Sequence, residues 1–380
     1  MNSKDRVLMT LDHQEADRVP VDLGGWVTTI HKKAYQKLLT FLGYESGNCL
    51  VNDWIRQTVL PEEHILKYLD IDFRHLFPGK SSRWFFTVED KGSSEEVVDE
   101  WGVRYRKPKD GGIYFDAVSG PLEKKELLSV DDLENIKWPD PYDSGYSDGL
   151  REKAKKIYQE NMYALVGDFA WETWYERSWK IRGFENFYLD FAINPDLSVA
   201  LMEKVATIHM GFLDNVLKEC GEFLDIIVQG GDYGSQYGLL ISPEMYRKYI
   251  KPIQKKVNDF IRNRTKAKIF YHSCGAIEPI IDDLVEIGVQ ILNPIQISAG
   301  NMGPELLKKR YGDNITFWGG IDTQRLLPFG DPPSVKKEVH RIKSILGKEG
   351  GYVLSAVHNI QPEVPPENII AMYQAAVQVQ

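Results

Sequence analysis

Short apolar runs recur along the chain, and most of them are separated by segments with helical periodicity. Six runs are well marked, and two weaker ones precede them, at residues 18–25 and 69–77. The six lie at residues 163–169, 225–232, 268–275, 289–296, 315–322 and 352–359. Eight strands alternating with helices are the number needed for a (β/α)8 barrel. The pattern therefore predicts an α/β fold, a single TIM barrel that spans residues 1–380 as one domain.

One region breaks this alternation. Between about residues 79 and 121 the runs RWFFTVED, EVVDEWGVRYRK and GGIYFDAVSGP alternate in polarity and are interrupted by Gly, Asp and Lys. This pattern is typical of β-hairpins. We expect an inserted antiparallel region there, on the surface or over the mouth of the barrel.

Helix starts are marked where a capping residue precedes a proline. Asn194–Pro195 and Ser242–Pro243 both have this form, and Pro252 predicts a bend in the second helix. Further helices are predicted at 31–42, 277–287, 304–311, 334–346 and 366–376. A doubly wound open sheet is the rival architecture, but no G-x-G-x-x-G segment follows any strand.

Composition narrows the function classes. The net charge of −9 and pI near 5.5 disfavour nucleic acid as a partner. No apolar run is long enough to cross a bilayer, and the N-terminus carries charges where a signal peptide needs an apolar centre. Three distant cysteines exclude a disulfide framework. We therefore expect a cytoplasmic protein that is not bound to a membrane.

Polar residues close the apolar runs. In a barrel the strand ends meet at one rim, where the reactive groups of these enzymes lie. The residues expected there are Asp22, Asp168, Asp232, His272, Cys274, Asn293, Gln296, Asp322, His358 and Asn359. For Asp168 and Asp322 a helix cap or a turn is the alternative interpretation.

His272 and Cys274 form the most specific feature. They are two residues apart on an extended chain, so both side chains face the same side and can share one ion. Zinc accepts both ligand types and keeps an open position in catalytic sites. His358 is the expected third ligand and Asp232 the next candidate. The alternative is that this His–Cys pair is only packed and hydrogen-bonded.

Aromatic residues cluster near the strand ends. Trp26, Trp54, Trp171 and Trp318 are placed to line a pocket for a flat or methylated apolar ligand, although tryptophans are also common in cores. Tyr233, beside Asp232 in the glycine-rich GGDYGSQYG, either presents its hydroxyl to the substrate or fills space.

Several segments together resemble the uroporphyrinogen decarboxylase superfamily over nearly the whole chain. They are KDRVLMTLDHQEADRVPVD, GGDYGSQYGLLISPEMYRKYIKP, HSCG, FWGGIDTQRLLPFG and LSAVHNIQPEVPPENI. The resemblance implies a single (β/α)8 barrel. Porphyrinogen decarboxylases hold substrate carboxylates with arginines near the N-terminus, but the segment VPVDLGGWVTTI here contains none. Decarboxylation of a porphyrinogen is therefore not expected.

The H-x-C-G segment resembles the corrinoid-dependent methyltransferases of this superfamily. That resemblance implies zinc on His272 and Cys274, with His358 where thiol-methylating members have a second cysteine. It points to O-demethylation in one-carbon metabolism. A small methyl donor such as a methoxylated aromatic would give its methyl group to a corrinoid carried by a separate protein. Because barrels of this superfamily often pair, the resemblance also implies that the chain can form a homodimer.

Site roles follow from this interpretation. Asp232 and Tyr233 are predicted to be catalytic, with zinc or a general acid activating the donor oxygen. The residues predicted to bind substrate are Asp22, Trp26, Trp54, Trp171, Asn293, Gln296, Trp318, Asp322 and Asn359. Three alternatives remain open: a methylcorrinoid:thiol methyltransferase, a metal-free decarboxylase of a small acid, and a binding module without catalysis.

Overall fold

A parallel sheet in chain order forms the centre of the protein. The computed structural model describes residues 1–45, 49–123, 129–170 and 173–378. Each strand of the sheet pairs in parallel with the next one in sequence. The strands are Phe73–Leu76, Ala164–Gly167, Ile226–Gly230, Lys268–His272, Ile291–Ile295, Thr316–Ile321 and Tyr352–Ala356. They correspond to the second to eighth predicted strands, and we use those ordinal numbers below.

Residues 20–22 occupy the remaining strand position and close the sheet into a barrel. The backbone N–H of Asp22 donates to the carbonyl of Leu354 on the eighth strand, at 3.0 Å. On the other side, the N–H of Asp72, just before the second strand, donates to the carbonyl of Val21 at 3.0 Å. Pairing on both sides confirms the predicted (β/α)8 barrel.

Helices surround the barrel, and the predicted starts are confirmed. The Ser242 hydroxyl accepts the backbone N–H of Met245, and a π-helical turn at Tyr246–Ile250 lies at the predicted bend just before Pro252. The α-helices are Ser3–Leu11, Lys32–Phe41, Glu63–Tyr68, Leu150–Glu160, Trp174–Arg182, Phe184–Ile193, Pro195–Cys220, Pro243–Met245, Lys251–Arg262, Ile281–Glu286, Pro304–Tyr311, Leu326–Phe329, Pro332–Leu346 and Pro366–Val377. Among the described residues, none of these helices combines the length and apolarity needed to span a bilayer.

Alternation along the strands decides which residues reach the barrel interior. On the fifth strand Phe270 packs inside the barrel, whereas Tyr271 packs in the layer between strands and helices. The helix Ser3–Leu11 contributes Val7 and Leu11 to the same interior cluster as Phe270. His272 follows Phe270 on the inward side, so its imidazole faces the interior at the carboxyl end of the strand.

The predicted insertion is an antiparallel meander. Its strands are Glu89–Asp90, Ser94–Val98, Arg104–Pro108 and Asp116–Ser119, paired in sequence order. A smaller sheet that the sequence pattern did not indicate joins Ile30–His31, Val51–Asp53 and Thr58–Val59. Residues of both additions line one cleft together with Phe77 and Asp168, which follow the second and third strands.

Candidate functional site

His272, Cys274 and His358, here called the rim trio, come together at the carboxyl end of the barrel. One ligand atom from each side chain lies within 4.8 Å of the other two. The Sγ of Cys274 is 3.3 Å from Nε2 of His272, and the two imidazole rings are 5.5 Å apart between centroids. The chain thus brings residues of the fifth and eighth strand ends into one cluster, as the sequence predicts.

Asn293 on the sixth strand fixes the orientation of His272 by contacting the ring nitrogen that faces away from the rim trio. Nδ1 of His272 is 2.6 Å from Oδ1 of Asn293, and the Asn293 amide donates to the carbonyl of Trp318 at 3.3 Å. Because the amide oxygen faces the ring, Nδ1 carries the proton and Nε2 presents its lone pair to the rim trio. A partner of this kind on the remote nitrogen is usual for a histidine that binds a metal.

Asp232 lies beside the trio at the end of the fourth strand. Its Oδ1 accepts the backbone N–H of Cys274 at 2.8 Å and is 3.7 Å from Nε2 of His272. The carboxylate is half-exposed, so it can exchange partners with a ligand. Asp232 therefore remains the alternative third ligand, but the ligand atoms that already lie within 4.8 Å of one another are those of His272, Cys274 and His358.

His358 is held in a different tautomer. The backbone N–H of Asn359 donates to Nδ1 of His358 at 2.8 Å, so a neutral ring carries its proton on Nε2. To bind a metal this ring would have to give up that hydrogen bond or release the Nε2 proton. In the arrangement seen here His358 presents an N–H donor to the cluster.

Electrostatics keep the trio uncharged. Burial lowers the pKa of His272 despite the nearby Asp232 carboxylate. Burial also lowers the pKa of His358 to about 3, reinforced by His272 and Arg56. The pKa of the Cys274 thiol is raised well above its usual value by burial and then by Asp232. At neutral pH the cluster therefore holds two neutral imidazoles and a protonated thiol.

This donor set fits a zinc ion. An imidazole nitrogen with a free lone pair and a cysteine sulfur are both usual zinc ligands, and a metal would displace the thiol proton. His272 and Cys274 meet the requirement as they stand, and Asp232 or a rearranged His358 would complete the set. The ligand roles predicted for the trio remain predictions.

An aromatic cleft opens next to the rim trio. It is open to solvent and is lined largely by residues of the insertion and of the segment 52–56. The rings of Trp54 and Phe86 stack at 5.6 Å between centroids. The aromatic side chains of its wall are Trp26, Trp54, Phe77, Trp84, Phe86, Trp101 and Tyr105. The insertion therefore covers the barrel mouth, as the sequence predicts.

Trp26 connects the cleft with the trio. Its indole ring lines the cleft and meets the His272 imidazole edge to face, with centroids 5.9 Å apart. The Arg56 guanidinium lies 4.7 Å above the Trp26 ring and pairs with Asp53 at 2.8 Å. A flat ligand in the cleft would thus reach the trio past Trp26 and Arg56.

A second polar cluster, here called the charged triad, consists of Asp22, His75 and Asp168. His75 is 2.9 Å from Asp22 through Nε2 and 3.2 Å from Asp168 through Nδ1. Burial by itself would lower the pKa of His75, but the two carboxylates outweigh it and raise the pKa to about 9. The imidazole is therefore charged at neutral pH. His75 was not predicted as a site residue because it lies inside an apolar run and not at its end.

The structure corrects the prediction for Tyr233. This tyrosine is buried, and its hydroxyl lies 2.5 Å from that of Tyr271 and 3.2 Å from Gln254. Burial raises the pKa of Tyr233 well above its usual value, and its hydroxyl points to the helix layer. Neighbours on an extended chain face opposite sides, so Asp232 faces the site and Tyr233 does not.

Of the residues predicted to bind substrate, Trp26 and Trp54 line the cleft, and Trp171 lies outside the described residues. Asp322 caps a turn by accepting the N–H of Gln324 at 2.7 Å. The remaining five are buried and have protein partners, and their contact with substrate remains a prediction. These five are Asp22, Asn293, Gln296, Trp318 and Asn359.

Two of these buried residues, Asn359 and Gln296, hold neighbouring loops in place through their hydrogen bonds. Asn359 accepts the N–H of Thr29 and donates to the carbonyl of Trp26, and so holds the loop that carries the Trp26 ring. Gln296 accepts the N–H of Gly275 at 2.8 Å and thereby fixes the turn after Cys274. Arg56 was not predicted, and nothing in the local sequence DWIRQT marks it.

Comparison with known proteins gives a consistent family. Residues 111–379 match the sequence model of the family "Uroporphyrinogen decarboxylase (URO-D)". A uroporphyrinogen decarboxylase of Pseudomonas aeruginosa (strain UCBPP-PA14) is 25% identical over 276 residues, which is 70% of this chain and 72% of the relative. One of Pseudomonas fluorescens (strain Pf0-1) is 26% identical over 277 residues, with the same shares covered.

Among solved structures, a methyltransferase from Methanosarcina mazei superposes with a TM-score of 0.60 over 99% of this chain and 98% of that one. At 17% identity this likeness concerns the fold alone. The match to the family model covers well over half of the sequence, including the barrel strands from the third to the eighth. The chain therefore belongs to the uroporphyrinogen decarboxylase family.

Proposed function

We propose that this protein takes a methyl group from a methoxylated aromatic compound and transfers it to the cobalt of a corrinoid carried by a separate protein. The observation that carries the proposal is the direct junction of two features: a metal-type donor cluster and a cleft walled by aromatic rings, joined at Trp26. A methyltransferase from Methanosarcina mazei has the same fold, so the fold is compatible with methyl transfer.

The rim trio and the aromatic cleft would have different roles in such a reaction. An aryl ether releases its methyl group slowly because a phenolate is a poor leaving group, so the ether oxygen must be polarised or protonated. A zinc ion bound to His272 and Cys274 would supply Lewis acidity to that oxygen. The aromatic walls would hold the ring by stacking and exclude water from it.

The protein's own groups would assist at the oxygen. His358 presents an Nε2–H donor to the cluster because its Nδ1 is occupied by the N–H of Asn359. The Arg56 guanidinium, held by Asp53 and Trp26, adds positive charge where negative charge would develop on the leaving oxygen. The low pKa of His358 keeps this imidazole neutral, so it acts by hydrogen bonding at neutral pH.

Decarboxylation of a small acid is the second candidate, and the arginines of the cleft favour it. Arg56 and Arg177 both line the cleft and are the residue type that binds carboxylates best. Each, however, is already paired with a carboxylate of the protein, Arg56 with Asp53 and Arg177 with Asp99. A substrate acid would have to displace these partners, so methyl transfer is the better supported function.

The test is a methyl-transfer assay with zinc-loaded protein, a methoxyarene and a corrinoid protein reduced to the cobalt(I) state. The proposal predicts the absorbance change from cobalt(I) to methylcobalt(III). It also predicts that Cys274→Ser abolishes this change, whereas Cys49→Ser, which alters a thiol outside the rim trio, retains it. Zinc-loaded wild type that methylates no corrinoid with a panel of methoxyarenes, or that releases carbon dioxide from small acids, would contradict it.

A further inference from the structure

One carboxylate in the wall of the aromatic cleft lacks a hydrogen-bond donor on one oxygen. The Oδ2 of Asp168 accepts the backbone N–H of Trp26 at 2.6 Å and faces Nδ1 of His75 at 3.2 Å. Its Oδ1 has no hydrogen-bond partner among the described residues. The residue is only 3% exposed, so bulk water does not solvate that oxygen freely. A buried carboxylate oxygen without a donor is rare and indicates that something else supplies one.

The other carboxylates of the cleft wall have donors from the protein. Asp53 is paired with Arg56, Asp99 with Arg177, and Glu100 accepts the Tyr146 hydroxyl at 2.6 Å. Asp168 therefore differs from its three neighbours. It stands where the cleft meets the barrel interior, since it also lines a small void there together with Trp26 and His75.

A neutral hydrogen-bond donor is sufficient to satisfy this oxygen. His75, charged and placed between Asp22 and Asp168, offsets one of the two negative charges of this pair. In the cleft wall, Arg56 and Arg177 are paired with Asp53 and Asp99, so these four residues give the wall no excess charge of either sign. A hydroxyl or N–H group on a neutral ring suits this environment, because it satisfies Oδ1 without adding charge.

We infer that Asp168 is the specificity-determining acceptor of the cleft, and that the ring bound there carries a hydrogen-bond donor that it gives to Oδ1 of Asp168. This inference rests on the proposed function in one respect, that the ring of the methyl donor lies in the cleft. It adds the requirement that the bound ring carries a hydrogen-bond donor, which stacking on the aromatic walls alone would not demand. The charged triad then has a function, since His75 orients the Asp168 carboxylate through the contact between Nδ1 and Oδ2.

The experiment compares two matched ligands that differ in one group, 2-methoxyphenol and 1,2-dimethoxybenzene. Binding is measured by calorimetry and by quenching of the tryptophan fluorescence, without any corrinoid. A hydrogen bond to a buried carboxylate predicts that wild type binds the phenol about 10- to 100-fold more tightly than the diether. Asp168→Asn is expected to reduce this ratio to below about threefold, because the charged acceptor is lost.

Glu100→Gln is the matched control, since it neutralises a cleft carboxylate whose donor the protein supplies. It should retain the preference for the phenol.

The comparison of the two ligands on wild type remains informative even if Asp168→Asn does not fold. Equal binding of the two ligands, or no binding of either, would overturn the inference and point to an internal water on Oδ1. A preference that survives in Asp168→Asn would overturn the assignment to Asp168. Because no turnover is measured, failure of methyl transfer with the preference intact would count against the proposed function alone.

Discussion

Two histidine clusters at the same end of the barrel show how neighbouring groups decide the state of an imidazole. The side chains of His75 in the charged triad and His272 in the rim trio are both buried, and burial disfavours the charge of each. His75 lies between two carboxylates and is charged. The His272 ring is hydrogen-bonded to the Asn293 amide, and the Asp232 carboxylate beside it is half-exposed, so burial dominates and the imidazole is neutral. The first arrangement is suited to locking structure, and the second to binding a metal or a substrate.

The same difference makes the charged triad rigid and leaves the rim trio available to a ligand. All three charged groups of the triad are satisfied by each other and by neighbours such as Thr28 and Trp26, apart from the one oxygen of Asp168. The trio instead presents a lone pair, a thiol and an N–H to one point. If this comparison is right, changes in the triad should affect stability first, whereas changes in the trio should affect ligand binding.

The largest expected effect follows from removing the imidazole of the triad. His75→Leu leaves the buried carboxylates of Asp22 and Asp168 without their common partner, so we expect a loss of about 3–5 kcal/mol of unfolding free energy. Urea denaturation measures it. His209→Leu is the matched control, because His209 is also buried but only faces Gln229 at 2.9 Å. Its loss should be smaller, about 1–3 kcal/mol. Equal losses in the two variants would show that the triad is not a charged network.

The pH dependence of stability sharpens the same comparison. The folded-state pKa of His75, about 9, lies above the ordinary value of 6.5, so the folded protein keeps a proton that the unfolded chain releases. The stabilisation is complete below pH 6.5 and is lost as pH rises toward 9. Between pH 6.5 and 8 we expect a decline of about 2 kcal/mol, which urea denaturation at each pH measures.

Two variants act as references for this decline. His75→Leu should remove it. His209 has a pKa lowered to about 4 by burial, so its contribution declines only as pH falls below 6.5, and wild type and His209→Leu should behave alike between pH 6.5 and 8. A decline that persists in His75→Leu would refute the charged state of His75.

A smaller effect is expected from the residue that orients the trio. Asn293→Ala removes the acceptor of the His272 Nδ1–H and should weaken zinc binding at least about tenfold, or about 1.4 kcal/mol, which competition with a chromophoric chelator measures. Asn258→Ala removes a buried amide that donates to the carbonyl of Ile287, and should leave zinc affinity unchanged. Unchanged zinc affinity in Asn293→Ala would mean that metal binding by His272 does not depend on its hydrogen bond to Asn293.

The fold could be predicted because its signal is local. Every predicted strand contains an observed one, or for residues 20–22 a bridged segment, since buried parallel strands leave an apolar run that ends in polar residues. The convergence of His272, Cys274 and His358 followed from that count, because equal ends of parallel strands share a rim.

The direction of side chains beyond the strand ends could not be predicted in the same way. Asn293 and Trp318 lie within neighbouring runs, and the register of the sheet turns both toward protein partners. The partners of His75 lie 53 and 93 residues away in sequence, so no local pattern indicates its charge. The cleft depends on how the insertion folds back over the mouth, which alternation within its strands does not specify.

The central claim is that the rim trio provides a metal site, and metal analysis tests it most directly. The protein is purified, loaded with zinc, dialysed against a weak chelator and analysed by atomic emission, as wild type, Cys274→Ser and Cys49→Ser. We predict about one zinc per chain in wild type and Cys49→Ser, and almost none in Cys274→Ser. Wild type that retains no zinc, or Cys274→Ser that retains as much as wild type, would contradict the account.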